Sequence, residues 1–451
     1  MSERPVAAII LAAGKGTRMK SATHKVLHPI AGRPLLRGLV AELKTLPLAD
    51  ATIVVGAGAE SVETAMAADG VHFARQDEQL GTAHAALQAK DALQAFEGDI
   101  LVCFGDVPHL KAATVRKMQA RLHHDDAPAC VMLGFRPADP KAYGRILTDG
   151  DLIQKMVEYK DASHEERNVN LCNAGPVMMD AADLFATLAR IGNDNSQGEY
   201  YLPDLVTVAA ADGRTSAVVE TSEREVVGVN DRADLAYAEA LWQQDQRAAM
   251  MAAGVTLRDP DSVFFSWDTE IGTDTIIEPN VVFGPGVRIG TGATIRAFSH
   301  LEGTDVGDDC EVGPFARLRP GARMMAGAKV GNFVEMKKTT LGEGAKANHL
   351  TYLGDANVGA GANVGAGTIT CNYDGFFKYR TKIGAGAFIG SNSALVAPVA
   401  IGDGAMVGAG SVVTGDVPAG DLAVARGEQK MKEGWATRFR ELQAERKEKA
   451  G

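Results

Sequence analysis

From Phe265 to about Pro418, apolar residues recur with a six-residue stride. Ile271, Ile277, Phe283, Ile289, Ile295 and Leu301 come first, and after a five-residue step the series resumes at Val306, Val312, Leu318, Met324, Val330 and Met336. Past two more such steps and one insertion it runs Ile383, Ile389, Leu395, Ile401, Val407 and Val413. Six is neither a helical nor a simple strand period. A chain shows it when a short strand, a sharp corner and another strand repeat, so that one apolar residue per hexad points inward. Three hexads close a triangular coil, and coils stack about 4.8 Å apart, the usual inter-strand spacing. Gly after the apolar residue, as in Ile271-Gly272 and Ile289-Gly290, suits corners where a Cβ would clash or positive φ is needed. The pattern predicts a parallel β-helix whose hand the period alone does not fix. Such a prism has small flat faces and unpaired edges at its ends, and often needs partners.

The N-terminal half carries different periods. Val6 to Leu11 reads as a buried parallel strand. Strands at Thr52–Val55 and Ile100–Phe104 alternate with helical patterns at Leu35–Leu46 and Ala83–Ala95, which predicts a doubly wound, Rossmann-like α/β domain over residues 1–228. Glu225–Val229 reads as strand-like. Asp231–Ala253 has Leu235, Ala238, Leu241 and Trp242 at helical spacing, so residues 229–253 form a helical linker, packed on the first domain or free-standing. The β-helix then occupies 254–425, and 426–451 is a charged tail with no strong apolar stripe beyond Trp435 and Phe439.

A chain of 451 residues fits two to three domains. The net charge of −11 argues against a general nucleic-acid or membrane-surface role, though a few local cations suffice to hold phosphates. Five widely spaced cysteines without a C-x-x-C pair argue for reduced thiols and against zinc. The chain opens directly into a strand pattern without a signal-peptide layout, and no apolar run approaches the roughly 18 residues of a membrane span. A cytoplasmic protein without membrane insertion is expected.

The first strand feeds Ala12-Ala13-Gly14-Lys15-Gly16-Thr17-Arg18-Met19. A Gly-rich loop after a strand is where α/β sheets bind phosphates. Met19 replaces the third Gly of a dinucleotide fingerprint, and no G-K-[ST] makes a Walker A loop. Lys15, Arg18 and Lys25 would concentrate positive charge on a polyphosphate. Further segments are Gln76, Leu80-Gly81-Thr82-Ala83-His84-Ala85, Phe104-Gly105-Asp106-Val107-Pro108, Tyr143-Gly144-Arg145-Ile146, Val157-Glu158, Asn170 to Gly175, Gly198 to Tyr201 and Val229-Asn230. Together with the loop they resemble the nucleotidyltransferases that couple sugar 1-phosphates to nucleoside triphosphates. With the hexads added, nearly the whole chain resembles the family of bifunctional N-acetylglucosamine-1-phosphate uridyltransferase/glucosamine-1-phosphate acetyltransferases.

That resemblance implies a left-handed helix, a homotrimer, and two reactions. Acetyl-CoA and glucosamine 1-phosphate give N-acetylglucosamine 1-phosphate, which UTP converts to UDP-N-acetylglucosamine and pyrophosphate, a precursor of bacterial cell-wall and lipopolysaccharide sugars. Uridylyl transfer brings two anions together, so positive charge and alignment supply most of the catalysis. The family pattern makes Asp106 and Asn230 ligands of Mg²⁺, which takes few protein ligands. Arg18 and Lys25 become the catalytic cations. Leu11, Ala12, Ala13, Gly14, Phe104 and Gly105 contribute mainly backbone, Gln76, Gly81 and Thr82 read uracil, and Gly144, Glu158 and Asn173 hold the sugar. Phe104 stands where a tyrosine is common, and Pro203 where a threonine is frequent, which leaves Tyr201 a weaker sugar-pocket candidate.

Acetylation of an amine by a thioester needs a base, and imidazole suits neutral pH. His349, within Ala347 to Leu353, is that candidate; His24, His28, His84, His109, His123, His124 and His164 carry no assigned chemistry. The rhythm breaks between Ile369 and Ile383, and such an excursion usually serves a site or interface. By resemblance, Ala366, Asn372, Tyr373, Ser391, Ala409 and Arg426 contact acetyl-CoA. Arg319, Lys337 and Lys378 would meet the phosphate of the amine substrate, and Tyr352 and Asn363 its hydroxyls. The rival readings are a nucleotidyltransferase whose β-helix only regulates or oligomerises, and a scaffold that binds nucleotide sugars without turnover.

Overall fold

The computed structural model describes residues 4–140 and 143–450. They form two compact units: one runs to Ala249 and takes in Phe265–Trp267, the other holds Met250–Phe264 and the chain from Asp268 onward.

The first unit is built on a nine-stranded sheet: β1 (Val6–Ala12), β2 (Leu48–Val55), β3 (His72–Arg75), β4 (Asp99–Phe104), β5 (Cys130–Phe135), β6 (Arg145–Asp149), β7 (Leu152–Val157), β8 (Cys172–Asp180) and β9 (Ala217–Thr221). Their spatial order is β3-β2-β1-β4-β8-β5-β9-β7-β6. Every residue of β1 is buried because both sheet faces are covered. Val6, Ala8 and Ile10 pack with Leu36, Leu39, Val62, Val115 and Met118 on one side. Ala7, Ile9 and Leu11 pack with Ala86, Leu93, Leu184 and Leu188 on the other. Each such aliphatic side chain, fully buried, contributes roughly 1.5–3 kcal/mol relative to exposure.

Strands β1 to β4 are mutually parallel where they pair, while β8 runs antiparallel to β4 and β5. The chain winds outward from β1 through β2 to β3, then returns to the opposite side of β1 as β4, with Leu11 beside Phe104. This reversal opens a crevice at the carboxyl ends of β1 and β4, the place where open α/β sheets bind ligands.

Two expectations for this unit change. Glu225–Val229 is not a strand: Glu223–Val226 forms a 3₁₀ turn that pairs with no sheet strand among the described residues. Thr114 Oγ1 donates to Glu225 Oε2 at 2.6 Å and Val229 N donates to Asp106 O at 2.8 Å, so the segment is tied by side chain and loop instead of a ladder. The helical stretch after Gly81 breaks into Thr82–Leu87 and Lys90–Leu93. The long helix Arg232–Ala252 is packed, not free-standing, with Ala238, Leu235 and Trp242 against Ile30, Ala31, Leu35 and Val229.

The second unit is a parallel β-helix of three sheets with ten, eight and eight strands, most of them two or three residues long. Ile271 pairs with Ile289 and Ile277 with Ile295, eighteen positions apart, whereas the five-residue step places Ile289 beside Val306. The inward series is closed off from solvent, with Ile277, Ile295, Leu301, Val312, Leu318, Met336, Leu353 and Leu395 fully buried. A second inward position lies two residues earlier, where strand alternation returns to the same face. It holds small residues such as Thr275, Ala293, Thr304, Ala322, Ala345 and Ala362. Hydroxyls there bond along the stack, as in Thr275 Oγ1 to Gly290 O at 2.8 Å and Thr304 Oγ1 to Ala322 O at 2.7 Å, whereas the buried Thr381 Oγ1, two residues before Ile383, has no partner among the described residues.

The structure separates the two reasons for glycine at the corners. A Cβ on Gly272 would stand 2.7 Å from the backbone of the next coil at Gly290, so close approach excludes it. Positive φ falls instead on the third residue after the inward one, often Gly, Asn or Asp, and also on Phe298, Phe315 and Phe333 (φ 60°, 54° and 55°). Those three exposed rings stack with centroids 4.9 and 5.1 Å apart.

The excursion after Cys371 is a small turn in which Asp374 Oδ1 accepts from the backbone N–H of Phe376 and Phe377 at 2.8 and 2.6 Å. Beyond it Val358 pairs with Ile383 and the stack continues. The tail ends in helix Trp435–Ala450, exposed throughout. No helix among the described residues is long and apolar enough to cross a membrane.

Candidate active sites

A cleft of about 250 Å³ lies at the crevice between β1 and β4. Leu11, Ala12, Ala13 and Gly14 line it from the first loop, Phe104 and Asp106 from the loop after β4, and Lys25, Gln76, Gly81 and Thr82 from the flanks. Gly105 N donates to Leu11 O at 2.9 Å, which ties the two loops together. Gly16 allows Lys25 to approach, since a Cβ there would come 2.7 Å from Lys25 Cβ. The Lys25 ammonium pairs with Asp106 Oδ2, and Arg18 Nη2 donates to Asn230 Oδ1 at 3.0 Å. The Val229–Asp106 backbone bond holds Asn230 next to this corner. Thus a carboxylate and an amide oxygen converge, each met by a cation. Hard oxygen donors in small number fit a magnesium ion that takes its remaining ligands from phosphates and water. No group of three or more His, Cys, Asp or Glu able to hold a metal occurs among the described residues.

Gly144, Glu158 and Asn173 line a second, smaller recess, with Tyr201, Pro203 and Asp204 closing it. Asn173 N donates to Gly144 O and Gly175 N to Asn173 Oδ1, both at 2.9 Å. Burial, aided by the charges of Asp161 and Asp204, pushes the Glu158 carboxyl above its usual range. Gly175 permits the Phe104 ring to lie against it, where a Cβ would fall 2.6 Å from the ring. Residues without an assigned role also line the clefts: Val26, Gln79, Ala85 and Glu199 in the first and Asp204 in the second. Gln79 Nε2 donates to Ala13 O at 2.5 Å. Glu199 sits inside a recognised motif, but nothing in the sequence points to Gln79.

In the β-helix, His349 ends strand Lys346–His349 and is exposed. Its register neighbour one coil earlier is Asn332, whose Oδ1 lies 2.7 Å from His349 Nδ1. An amide oxygen only accepts, so in the neutral ring the hydrogen belongs on Nδ1 and the lone pair on Nε2. Around the corner, Tyr352 and Lys337 share one sheet. Lys378 from the excursion and then Arg319 hold the Lys337 ammonium below the usual lysine range, so two further cations bear on it. Arg319 has a carboxylate partner in Glu335 at 2.8 Å.

Asn363 stands apart from that group, on the sheet that carries His349. Asn372 is buried and donates to Asp355 Oδ2 at 2.6 Å, while Tyr373 is exposed. Ala366, Ser391, Ala409 and Arg426 occupy successive levels of one corner: Asn392 N donates to Ala366 O and Gly410 N to Ser391 O, each at 2.8 Å, and Arg426 Nη1 to Ala409 O at 2.6 Å.

Residues 8–169 match the MobA-like NTP transferase domain family, and residues 268–303 and 380–415 match the bacterial transferase hexapeptide family. The fold and its two sites therefore define a double transferase: a nucleotidyltransferase domain followed by a left-handed β-helix of hexapeptide repeats. Relatives named bifunctional protein GlmU are 61% identical in Sphingopyxis alaskensis, 60% in Rhizorhabdus wittichii and 59% in Novosphingobium aromaticivorans. The matches cover 99%, 98% and 99% of this chain and 98%, 98% and 99% of the relatives. The chain belongs to the GlmU family. It is a bifunctional enzyme of UDP-N-acetylglucosamine synthesis, with uridylyltransferase and acetyltransferase halves.

Proposed function

We propose that residues 1–228 carry uridylyl transfer and residues 254–425 acetyl transfer, joined by the helix of 229–253, with the tail 426–451 completing the second half. The observation that carries the first assignment is the meeting of Arg18 and Lys25 with Asn230 and Asp106 at the crevice. In the reaction a phosphate oxygen of N-acetylglucosamine 1-phosphate attacks the α-phosphorus of UTP, and the bond to pyrophosphate breaks. Asp106 and Asn230 would hold Mg²⁺, which when bound would offset the negative charge of the phosphates. Arg18 and Lys25 neutralise the attacking and leaving groups, a preorganised electrostatic contribution that needs no rearrangement during the step. Gln76, Gly81 and Thr82 read the uracil edge, and Gly144, Glu158 and Asn173 grip the sugar.

In the other half, the amine nitrogen of glucosamine 1-phosphate forms a bond to the thioester carbonyl carbon of acetyl-CoA while the carbon–sulfur bond breaks. His349 Nε2 takes the proton from the amine, and Asn332 keeps the ring in the tautomer that can do so. Arg319, Lys337 and Lys378 bind the sugar phosphate. Tyr352 and Asn363 meet hydroxyls, and Ala366, Asn372, Tyr373, Ser391, Ala409 and Arg426 hold acetyl-CoA. These residues span several levels and two sheets, which supports a site completed by neighbouring copies in a homotrimer. The enzyme is cytoplasmic, binds no nucleic acid and inserts in no membrane.

The test is a pair of assays on one preparation. Pyrophosphate release from UTP and N-acetylglucosamine 1-phosphate with Mg²⁺ is expected in the wild type and lost in Asp106→Ala. Thiol release from acetyl-CoA with glucosamine 1-phosphate is expected and lost in His349→Ala. Absence of thiol release in the wild type would return the β-helix to a merely oligomerising role.

A further inference from the structure

We propose that His84 is a positioning residue that sets which pyrimidine the uridylyl cleft accepts, by locking the Gln76 amide with its oxygen toward the base. This rests on the reading of Gln76 as the residue that meets the base.

Gln76 follows β3, is 4% exposed, and is anchored by its backbone N–H to Val55 O at 2.8 Å. Its Nε2 lies 3.1 Å from Gly81 O and 3.0 Å from His84 Nδ1. A carbonyl oxygen only accepts, so the nitrogen of the amide, not its oxygen, faces Gly81. With the imidazole hydrogen on Nε2, both amide hydrogens have acceptors, while Gln76 Oε1 accepts from nothing among the described residues and belongs to a side chain that lines the cleft.

The Gly81 carbonyl is already shared, because Ala85 N donates to it at 3.1 Å in the first turn of helix Thr82–Leu87. His84 supplies the second full acceptor, and one turned amide would set oxygen against both. The imidazole is itself confined. Its ring lies 6.4 Å from that of Tyr200, and Gln88 Nε2 sits 3.2 Å from His84 Nε2 but already donates to His84 O at 3.0 Å, so Gln76, at 3.0 Å from Nδ1, is the nearer donor to the ring's one lone pair.

A fixed acceptor discriminates between pyrimidines. Uracil presents a hydrogen at N3, which Gln76 Oε1 can accept. Cytosine presents a lone pair at N3, and the two acceptors repel. A buried polar site rejects the wrong pattern because its own group is left unpaired. Without the imidazole the amide gains freedom to turn and offer a hydrogen to cytosine.

The experiment compares UTP and CTP in pyrophosphate release with N-acetylglucosamine 1-phosphate. His84→Leu keeps bulk and removes the acceptor, whereas His84→Asn places an oxygen where Nδ1 stood. The UTP-over-CTP ratio of kcat/KM is expected to fall on the order of tenfold in His84→Leu, the worth of one hydrogen bond. His84→Asn is expected to restore most of it, with the KM for the sugar phosphate unchanged. Acetyl transfer, measured on the same preparation, reports whether each variant is folded. A wild-type ratio in His84→Leu, or no recovery in His84→Asn, overturns the proposal. Gln76→Ala separates the two layers: unchanged base preference there removes the base-reading assignment, while lost preference there with none lost in His84→Leu removes only the role of His84.

Discussion

In the first unit Lys25 and Arg18 each reach an oxygen of the chain itself, Asp106 and Asn230, inside a cleft formed where two strand ends part. In the β-helix the charges of Lys378 and Arg319 bear on Lys337, with Glu335 as the carboxylate partner of Arg319. The cleft therefore holds Lys25 against a carboxylate and Arg18 against a neutral amide oxygen before substrate arrives. The prism holds an excess of positive charge that an anion relieves. A doubly wound sheet makes a pocket out of its own topology. A solenoid with flat outer faces makes only a surface, so its chemistry gathers at corners and on an excursion.

The largest expected effect is in the cleft. Asp106→Ala removes the carboxylate expected to hold the metal and leaves Lys25 without its partner. Uridylyl transfer should fall on the order of a thousandfold or more, and acetyl transfer should stay at the wild-type rate. Equal loss of both activities would mean that the halves are not separable in this way. Next, His349→Ala should lower kcat of acetyl transfer by roughly 10²- to 10⁴-fold, the usual worth of a general base, with uridylyl transfer intact.

Then comes the charge cluster. Replacing Lys337 and Lys378 together by Met should raise the KM for glucosamine 1-phosphate roughly ten- to a hundredfold and weaken its dependence on ionic strength. The KM for acetyl-CoA should not move; if it does, the cluster serves the coenzyme instead. The smallest effect belongs to Asn332→Ala, which frees the His349 ring while leaving its nitrogen in place. A drop in kcat on the order of tenfold at constant KM is expected, and a change in KM alone would assign Asn332 to binding.

Much of this comparison was legible in the sequence, and unevenly so. The prism was readable because one residue in six must be large and apolar, a demand that Ile277, Leu301 and Leu318 meet without exception of kind. Its second inward position was not, because there the requirement is small volume, which Ala293, Thr304 and Thr275 satisfy equally. The cleft residues before β2 and after β4 were readable from short motifs. His84 was not, since its part depends on the helix phase that carries it to Gln76, eight positions earlier. Asn332 escaped notice for a similar reason: it meets His349 only because a coil closes in seventeen positions. The strand expected at Glu225–Val229 failed because apolar valines there serve a 3₁₀ turn and a loop contact, which composition does not distinguish from a ladder.

The excursion after Cys371 has a consequence for how such a chain tolerates growth. Val358 finds Ile383 twenty-five positions later instead of the eighteen of Ile277 and Ile295, yet Ile401 still follows in register on the next level. Extra chain is thus absorbed at a vertex without disturbing the storeys above it. Corners of this solenoid are natural grafting points, and new recognition loops can be installed there one floor at a time.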